Sequence, residues 1–366
     1  MSGSTGGNAK AGGRARTLAE VYRRFGEVDG PKVSPVYGRI ANALSKSDEA
    51  LRVIETAPAR QRHPATILAA LHDLALAGDA PALAKAFATA NATDVGAVAA
   101  EVVVGMGELV VERAAGRRVR ADEGGRHAVL YPAVAEVARR VGAGAVGLID
   151  VGRAAGLNLT VDRVGISYGN GQSLGDARSA VQVSASVVGG GEVPSGVMPE
   201  VVARVLIDVD PVDVTDADEA RWLRACVSPD QVERLARLEA ELALAAADPP
   251  VLLRGEVVDV LPEAIARVPD DVLPVVITTW ALSALDLEGR LRFLQRLDEA
   301  ATRRPVAWVS VEGVGVAPGI PTFGDRRASG HSIIGMGVFE HASMQASAVG
   351  RCWRRGGMLA WLAEHN

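Results

Sequence analysis

From about residue 145 onward, short apolar runs alternate with amphipathic stretches, and this rhythm limits the fold more than any other feature of the chain. The runs lie at 145–151, 203–209, 250–254, 273–278 and 306–311, and helical patterns occupy 216–247, 259–268 and 287–303. Short uninterrupted apolar runs suit strands buried on both faces. A strand–helix–strand repeat closes through right-handed crossovers, which gives a mostly parallel sheet. The last two runs, 333–340 and 346–353, stand too close for a helical crossover and predict an antiparallel terminal hairpin. The first run is not followed directly by a long helix. Segments 164–168 and 180–188, with Asn170-Gly171 in their connection, predict an inserted β-hairpin at about 160–195.

The chain before this point reads as helical. Leu18, Val21, Tyr22 and Phe25 share one helix face, and Ile67, Leu68, Leu71 and Leu74 share another that starts at Pro64. A densely apolar stretch runs from Asp94 to Gly116, and a further helix from about Gly125 to Arg140 carries Pro132. Residues 1–16 are rich in Gly and Ser without an apolar core and predict a disordered tail. The expected division is therefore the tail, a helical cap over 17–140 and an α/β domain over 141–366. Together these make an α/β fold with a Rossmann-like, mostly parallel sheet.

The first strand carries the most chemistry. Residues 147–159 read G-L-I-D-V-G-R-A-A-G-L-N-L: a strand ending in Asp150, then a loop with Gly152, Gly156 and Asn158. Glycines let a backbone approach a ligand closely, and the C-terminal edge of such a sheet is where ligands bind. The pattern lacks the third glycine of a dinucleotide loop and the G-K-[ST] of a phosphate loop. An acid followed by G-x-x-x-G suits an amine-bearing cationic nucleotide such as S-adenosylmethionine better than a pyrophosphate.

Three more strand ends fit the same ligand. V-L-I-D-V-D-P-V-D offers Asp208 and Asp210 as acceptors for a ribose diol. V-L-L-R-G-E offers Glu256 to an adenine amino group, and V-V-I-T-T-W-A-L brings Thr278, Thr279 and Trp280 towards the methyl donor. Each has a purely structural counterpart. Asp208 and Asp210 suit turns, Asp213 suits a helix cap, Asn158 suits loop backbone groups, and Trp280 suits the core.

Taken together, the chain resembles an actinobacterial domain-of-unknown-function family with a helical N-terminal region and a class I methyltransferase-like domain. The resemblance covers nearly everything after residue 17. It rests on V-G-R-A-A-G-L-N-L (151–159), D-V-D-P-V-D-V-T-D-A-D-E-A-R-W-L-R-A (208–225), R-G-E-V-V-D-V-L-P (254–262), V-S-V-E-G (309–313) and D-E-G-G-R-H-A-V-L-Y-P (122–132). It implies a fold and an S-adenosylmethionine site, but no reaction or substrate. The sequence departs from the family pattern at Arg153, where a small residue is usual, at Asp210 in place of Asn, and at Thr278, where a His is usual.

On the substrate side, His72 and Glu123 are candidate proton acceptors. Arg126, Trp280 and Glu312 are candidate substrate contacts, across a cleft expected between the helical region and the sheet. Glu123 and Arg126 also have the spacing of a helical ion pair, and His72 that of a core histidine. No metal ligand spacing is present. A formal net charge of −5 argues against a broad nucleic-acid footprint, and no stretch reaches the length of a membrane span. The two cysteines, Cys226 and Cys352, read as reduced thiols and place the chain in the cytoplasm. The expected activity is methyl transfer from S-adenosylmethionine to a small molecule. A non-catalytic binding or scaffold protein on the same fold is the alternative, and the helical region is a candidate homodimer face.

Overall fold

The computed structural model describes residues 16–89, 94–120, 125–189 and 191–363. The chain divides into two compact units. The first comprises the residues up to Arg120 together with Arg221–Val232, and the second comprises Ala121–Ala220 and Glu233 onward.

The first unit is helical because its punctuation is. Thr17 forms a capping box with Glu20 ahead of the helix Leu18–Arg24. Ser34 and Ser47 accept from the amides of Tyr37 and Ala50 at the starts of Pro35–Leu44 and Asp48–Glu55. Proline opens Pro35–Leu44, Pro64–Ala77 and Pro81–Ala88, where its missing N–H costs nothing. Ile40, Leu44, Ile54, Ile67, Leu68, Leu71 and Leu74 build the core, joined by Trp222 and Ala225 from the later segment. The stretch expected as one helix over 94–116 is two, Val95–Gly105 and Gly107–Ala114, broken at Met106. The break brings the second helix against its neighbour: a Cβ on Gly107 would stand 2.6 Å from Val53. No single described helix is long and apolar enough to cross a membrane.

The second unit holds an eleven-stranded mixed sheet. Its strands are β1 (Ala145–Val151), β2 (Gly165–Tyr168), β3 (Ser173–Gly175), β4 (Gln182–Val187), β5 (Glu200–Asp208), β6 (Val251–Arg254), β7 (Leu273–Thr279), β8 (Val306–Gly313), β9 (Ser332–Glu340), β10 (Ser343–Trp353) and β11 (Met358–Trp361). They lie in the order β3-β2-β4-β11-β10-β9-β8-β7-β1-β5-β6. β6, β5, β1, β7 and β8 run parallel, and β8 to β11 form an antiparallel meander. After β2 to β4 at the far edge, the chain adds β5 and β6 on one side of β1 and then returns to its other side for β7 and β8. The strand order therefore reverses between β1 and β7.

Alternation sends successive side chains of the central strands to opposite layers. Leu148, Leu206, Val275, Ile277 and Val309 pack with the helix His127–Val141. Ile149, Val205, Ile207, Val276 and Trp308 pack with the helices Val257–Ala266 and Leu287–Ala300. All seven residues of β7 are buried, which is why it reads as an unbroken apolar run. The helix His127–Val141 thus belongs to the core of the sheet unit.

Three further sequence expectations change. Residues 164–168 and 180–188 do not form a hairpin: β2 and β4 pair in parallel. The turn at Asn170-Gly171 instead joins β2 to the short antiparallel β3. Apolar alternation marks strands but not their partners, and β4 docks on the opposite edge of β2. The pattern over 216–247 is two helices, Ala217–Ala225 and Val232–Ala246, parted at Ser228-Pro229. The hairpin gains a third strand, β11, which links it to β4.

Candidate active site

The strand-order reversal leaves a crevice at the C-terminal ends of β1, β5, β6 and β7, the place where open α/β sheets bind ligands. A cavity of about 300 Å³ occupies it. Of the residues singled out from sequence, Gly152, Asp208, Glu256 and Trp280 line this cavity. Arg153, Gly255, valines and Ile207 at the strand ends, and Ala281, Leu282, Ala284 and Leu285 of the turn after Trp280 also line it. Sequence reasoning missed that turn, whose small and aliphatic residues carry no chemical signal. Gly255 was legible only as the neighbour of Glu256.

The loop after β1 is shaped by backbone requirements. Gly152 has φ +69°, and its amide donates to the Ile207 carbonyl at 2.8 Å. Gly156 has φ +61°, and a Cβ there would meet Leu159 at 3.2 Å and Leu206 at 3.4 Å. Gly156 therefore faces packed side chains and lies outside the cavity lining. Gly156→Ala is expected to destabilise the protein by about 1–2 kcal/mol, the usual cost of a left-handed conformation for a side chain. Urea unfolding measures it, and an unchanged midpoint would contradict the backbone assignment.

Beneath the loop lies a buried polar cluster. Asp150, fully buried, accepts from Asn158 Nδ2 at 3.1 Å, and the same amide donates to Thr279 Oγ1 at 3.3 Å. Arg153 joins this cluster to the cavity. Its Nε donates to the Thr279 carbonyl at 3.1 Å and to Oγ1 at 3.3 Å, and its Nη2 also donates to the carbonyl. The turn bearing Asn158 is held from below by His127, whose Nε2 donates to the Leu157 carbonyl at 2.9 Å. Burial is the main cause that lowers the pKa of His127 to about 4, so the ring is neutral at ordinary pH.

Thr278 points to the other layer and accepts from Trp308 Nε1 at 3.0 Å. The two adjacent threonines thus face opposite sides of the sheet, as strand period requires. Trp280 follows directly, with φ +57°, a rare conformation for so large a residue. It is held there by its amide on the Val311 carbonyl, by Nε1 donating to Ser332 Oγ at 2.7 Å, and by the Arg126 guanidinium 5.3 Å from its ring. Such conformations persist where surrounding contacts over-determine them, and they cluster at ligand sites.

Glu312, 1% exposed on β8, stands behind the cavity turn. It accepts from the Leu282 amide at 3.1 Å, and its Oε2 has no hydrogen-bond partner among the described residues. Burial pushes its pKa up to about 7, against the opposing pull of the Leu282 and Ala281 amides and of Arg153 and Arg290. Asp208 Oδ1 accepts from the Asp210 amide at 2.8 Å, which folds the chain back after β5. Asp210 pairs with Arg254 at 2.7 Å and is 43% exposed, outside the cavity lining. His72 lies in the helical unit, 3% exposed and edge-on to Phe87. Burial is the largest influence on it and lowers its pKa. Glu123 falls outside the described residues. Among the described residues no three His, Cys, Asp or Glu side chains form a metal-binding group.

Fold and site together define an α/β protein with a helical N-terminal region and a small cavity at the switch point of a mixed, mostly parallel sheet. The chain belongs to the bacterial family DUF2332, described as an uncharacterized protein conserved in bacteria, whose sequence model matches residues 19–361. No curated protein and no solved structure matches it.

Proposed function

We propose that this cavity binds S-adenosylmethionine and that the protein is a methyltransferase acting on a small molecule. The observation that carries the reading is the pair of carboxylates, Asp208 and Glu256, lining one cavity beside the glycine loop after β1. The donor set suits the ligand. Asp208 would accept from ribose hydroxyls and Glu256 from the adenine amino group. Gly152 and Gly255 bring backbone to the lining, close-packed so that a Cβ would stand 3.0 Å from Ala281 and 2.7 Å from Val260, and Trp280 would supply an apolar wall. When bound, the sulfonium supplies an electrophilic methyl group for in-line displacement. The protein's contribution is then orientation: the cavity holds the acceptor's lone pair opposite the departing sulfur.

A second reading is a binding protein without transfer. Its support is the shortage of a base. Asp208, Glu256 and Arg153 are the ionisable residues among the described cavity lining, and both acids are already assigned to the nucleoside. An acceptor that must lose a proton would find no further carboxylate or imidazole there.

Calorimetry with S-adenosylmethionine and S-adenosylhomocysteine tests the binding that both readings share, and turnover against a substrate panel separates them. A charge-assisted hydrogen bond contributes about 1.5–3 kcal/mol, so Asp208→Ala is expected to weaken binding about tenfold or more. Asp210→Ala, acting on the Arg254 pair outside the cavity, is expected to change affinity less than about twofold. The reverse order would move the ribose site to Asp210. No heat with either compound would end the nucleoside reading.

A further inference from the structure

We propose that Arg153 anchors a carboxylate on the bound ligand, so that the cavity recognises the amino-acid end of the nucleoside as well as its ribose and base. The inference rests on the nucleoside reading above and adds the chemistry of the other end.

The cavity is electrically two-ended. Asp208 and Glu256 stand at the ends of β5 and β6, and Arg153 stands on the β1 loop. A ligand that fills it therefore meets acceptors on one side and a guanidinium on the other. The remaining lining is mostly aliphatic, with the Trp280 ring added, and offers a charged substituent no competing partner.

Arg153 is built as a fixed donor. Thr279 takes its Nε and Nη2, which sets the plane of the guanidinium against the end of β7. Nη1 makes no hydrogen bond among the described residues, and no described acid forms an ion pair with this side chain. A guanidinium gripped along one edge keeps its other donors for a ligand oxygen, and its orientation is settled before binding. Thr279 is itself held by the Asn158 amide, which rests on buried Asp150. The strand-end cluster therefore acts on the ligand through Arg153.

Neighbouring arginines are committed elsewhere. Arg254 pairs with Asp210, Arg290 donates to the Leu282 carbonyl at 2.8 Å, and Arg126 lies over the Trp280 ring. Glu312, which feels the Arg153 charge, is buried and already receives the Leu282 amide. A carboxylate entering the cavity would give Arg153 the direct ion-pair partner that no described acid provides.

The test compares S-adenosylhomocysteine with 5′-methylthioadenosine, which keeps the nucleoside and thioether but lacks the amino-acid group. Calorimetry on the full chain is expected to show S-adenosylhomocysteine bound about tenfold or more tightly. Arg153→Gln should bring the two within about twofold by weakening S-adenosylhomocysteine alone, and Arg153→Lys should keep part of the difference. Equal affinities in the wild-type protein overturn the anchor and leave the nucleoside reading standing, whatever the variants do. A difference that survives in a folded Arg153→Gln protein also overturns it. Stronger binding of adenosine 5′-monophosphate than of S-adenosylhomocysteine overturns the carboxylate in favour of a phosphate. Binding of none of these compounds removes the nucleoside reading and the anchor with it.

Discussion

Folding stability is expected to fall by about 3 kcal/mol, through Glu312 alone, as pH rises from 4.5 through about 7. The sign follows from the direction of its displacement. In the folded protein the carboxyl is buried and holds its proton up to about pH 7, whereas the unfolded chain releases it near 4.5. The folded state therefore binds more protons across this window. The stabilisation is complete below the unfolded value and is lost as pH passes the folded one. At about 1.4 kcal/mol per pH unit, the displacement gives the stated size. Glu312→Gln keeps an acceptor for the Leu282 amide and removes the ionisation. Urea unfolding of both proteins across this range isolates the effect: the gap between them should change by about 3 kcal/mol in favour of the variant at high pH. Parallel profiles would show that Glu312 ionises in the folded protein as it does in the unfolded chain, so that a carboxylate holds the cavity turn well below pH 7.

The second large effect belongs to Trp308, fully buried on β8. Trp308→Ala is expected to cost about 3–5 kcal/mol in urea unfolding, the usual price of truncating a large core aromatic. It removes packing against Phe293, whose ring lies 5.7 Å away, and strands the Thr278 hydroxyl that Trp308 Nε1 satisfies. Thr278→Val gives the matching control. It should cost about 1 kcal/mol for the lost hydrogen bond and leave nucleoside affinity unchanged. If Thr278→Val weakens binding while Trp308→Ala is tolerated, Thr278 serves the ligand and the β7 end is read on the wrong face.

These two predictions turn on geometry that the sequence carries only in part. The adjacent pair Thr278-Thr279 guarantees one hydroxyl on each face of a strand, because strand period is two. Which face meets Asn158 and Arg153, and which meets Trp308, follows only from the neighbours that β1 and β8 place there. Asp208 and Asp210 show the same limit. Two apart, they would share a face if β5 continued, but β5 stops at Asp208 and the chain bends back. Only the first then lines the cavity. Gly156 looked like a ligand-facing glycine by spacing, yet the space it preserves is filled by Leu159 and Leu206.

The sequence by itself determined the helical first region, the strand–helix alternation from 145 and the antiparallel ending. These are local consequences of apolar period, caps and connection length. It also pointed to the strand ends where Gly152, Asp208, Glu256 and Trp280 stand. Tertiary structure alone decided which strands pair, since β2 and β4 carry the same alternation whether parallel or antiparallel. It alone shows that Arg153, a departure from the family pattern in the sequence, is a donor oriented by Thr279. The physical reason is shared: period and composition fix what each segment buries, but partners, faces and hydrogen-bond acceptors come from segments distant in sequence.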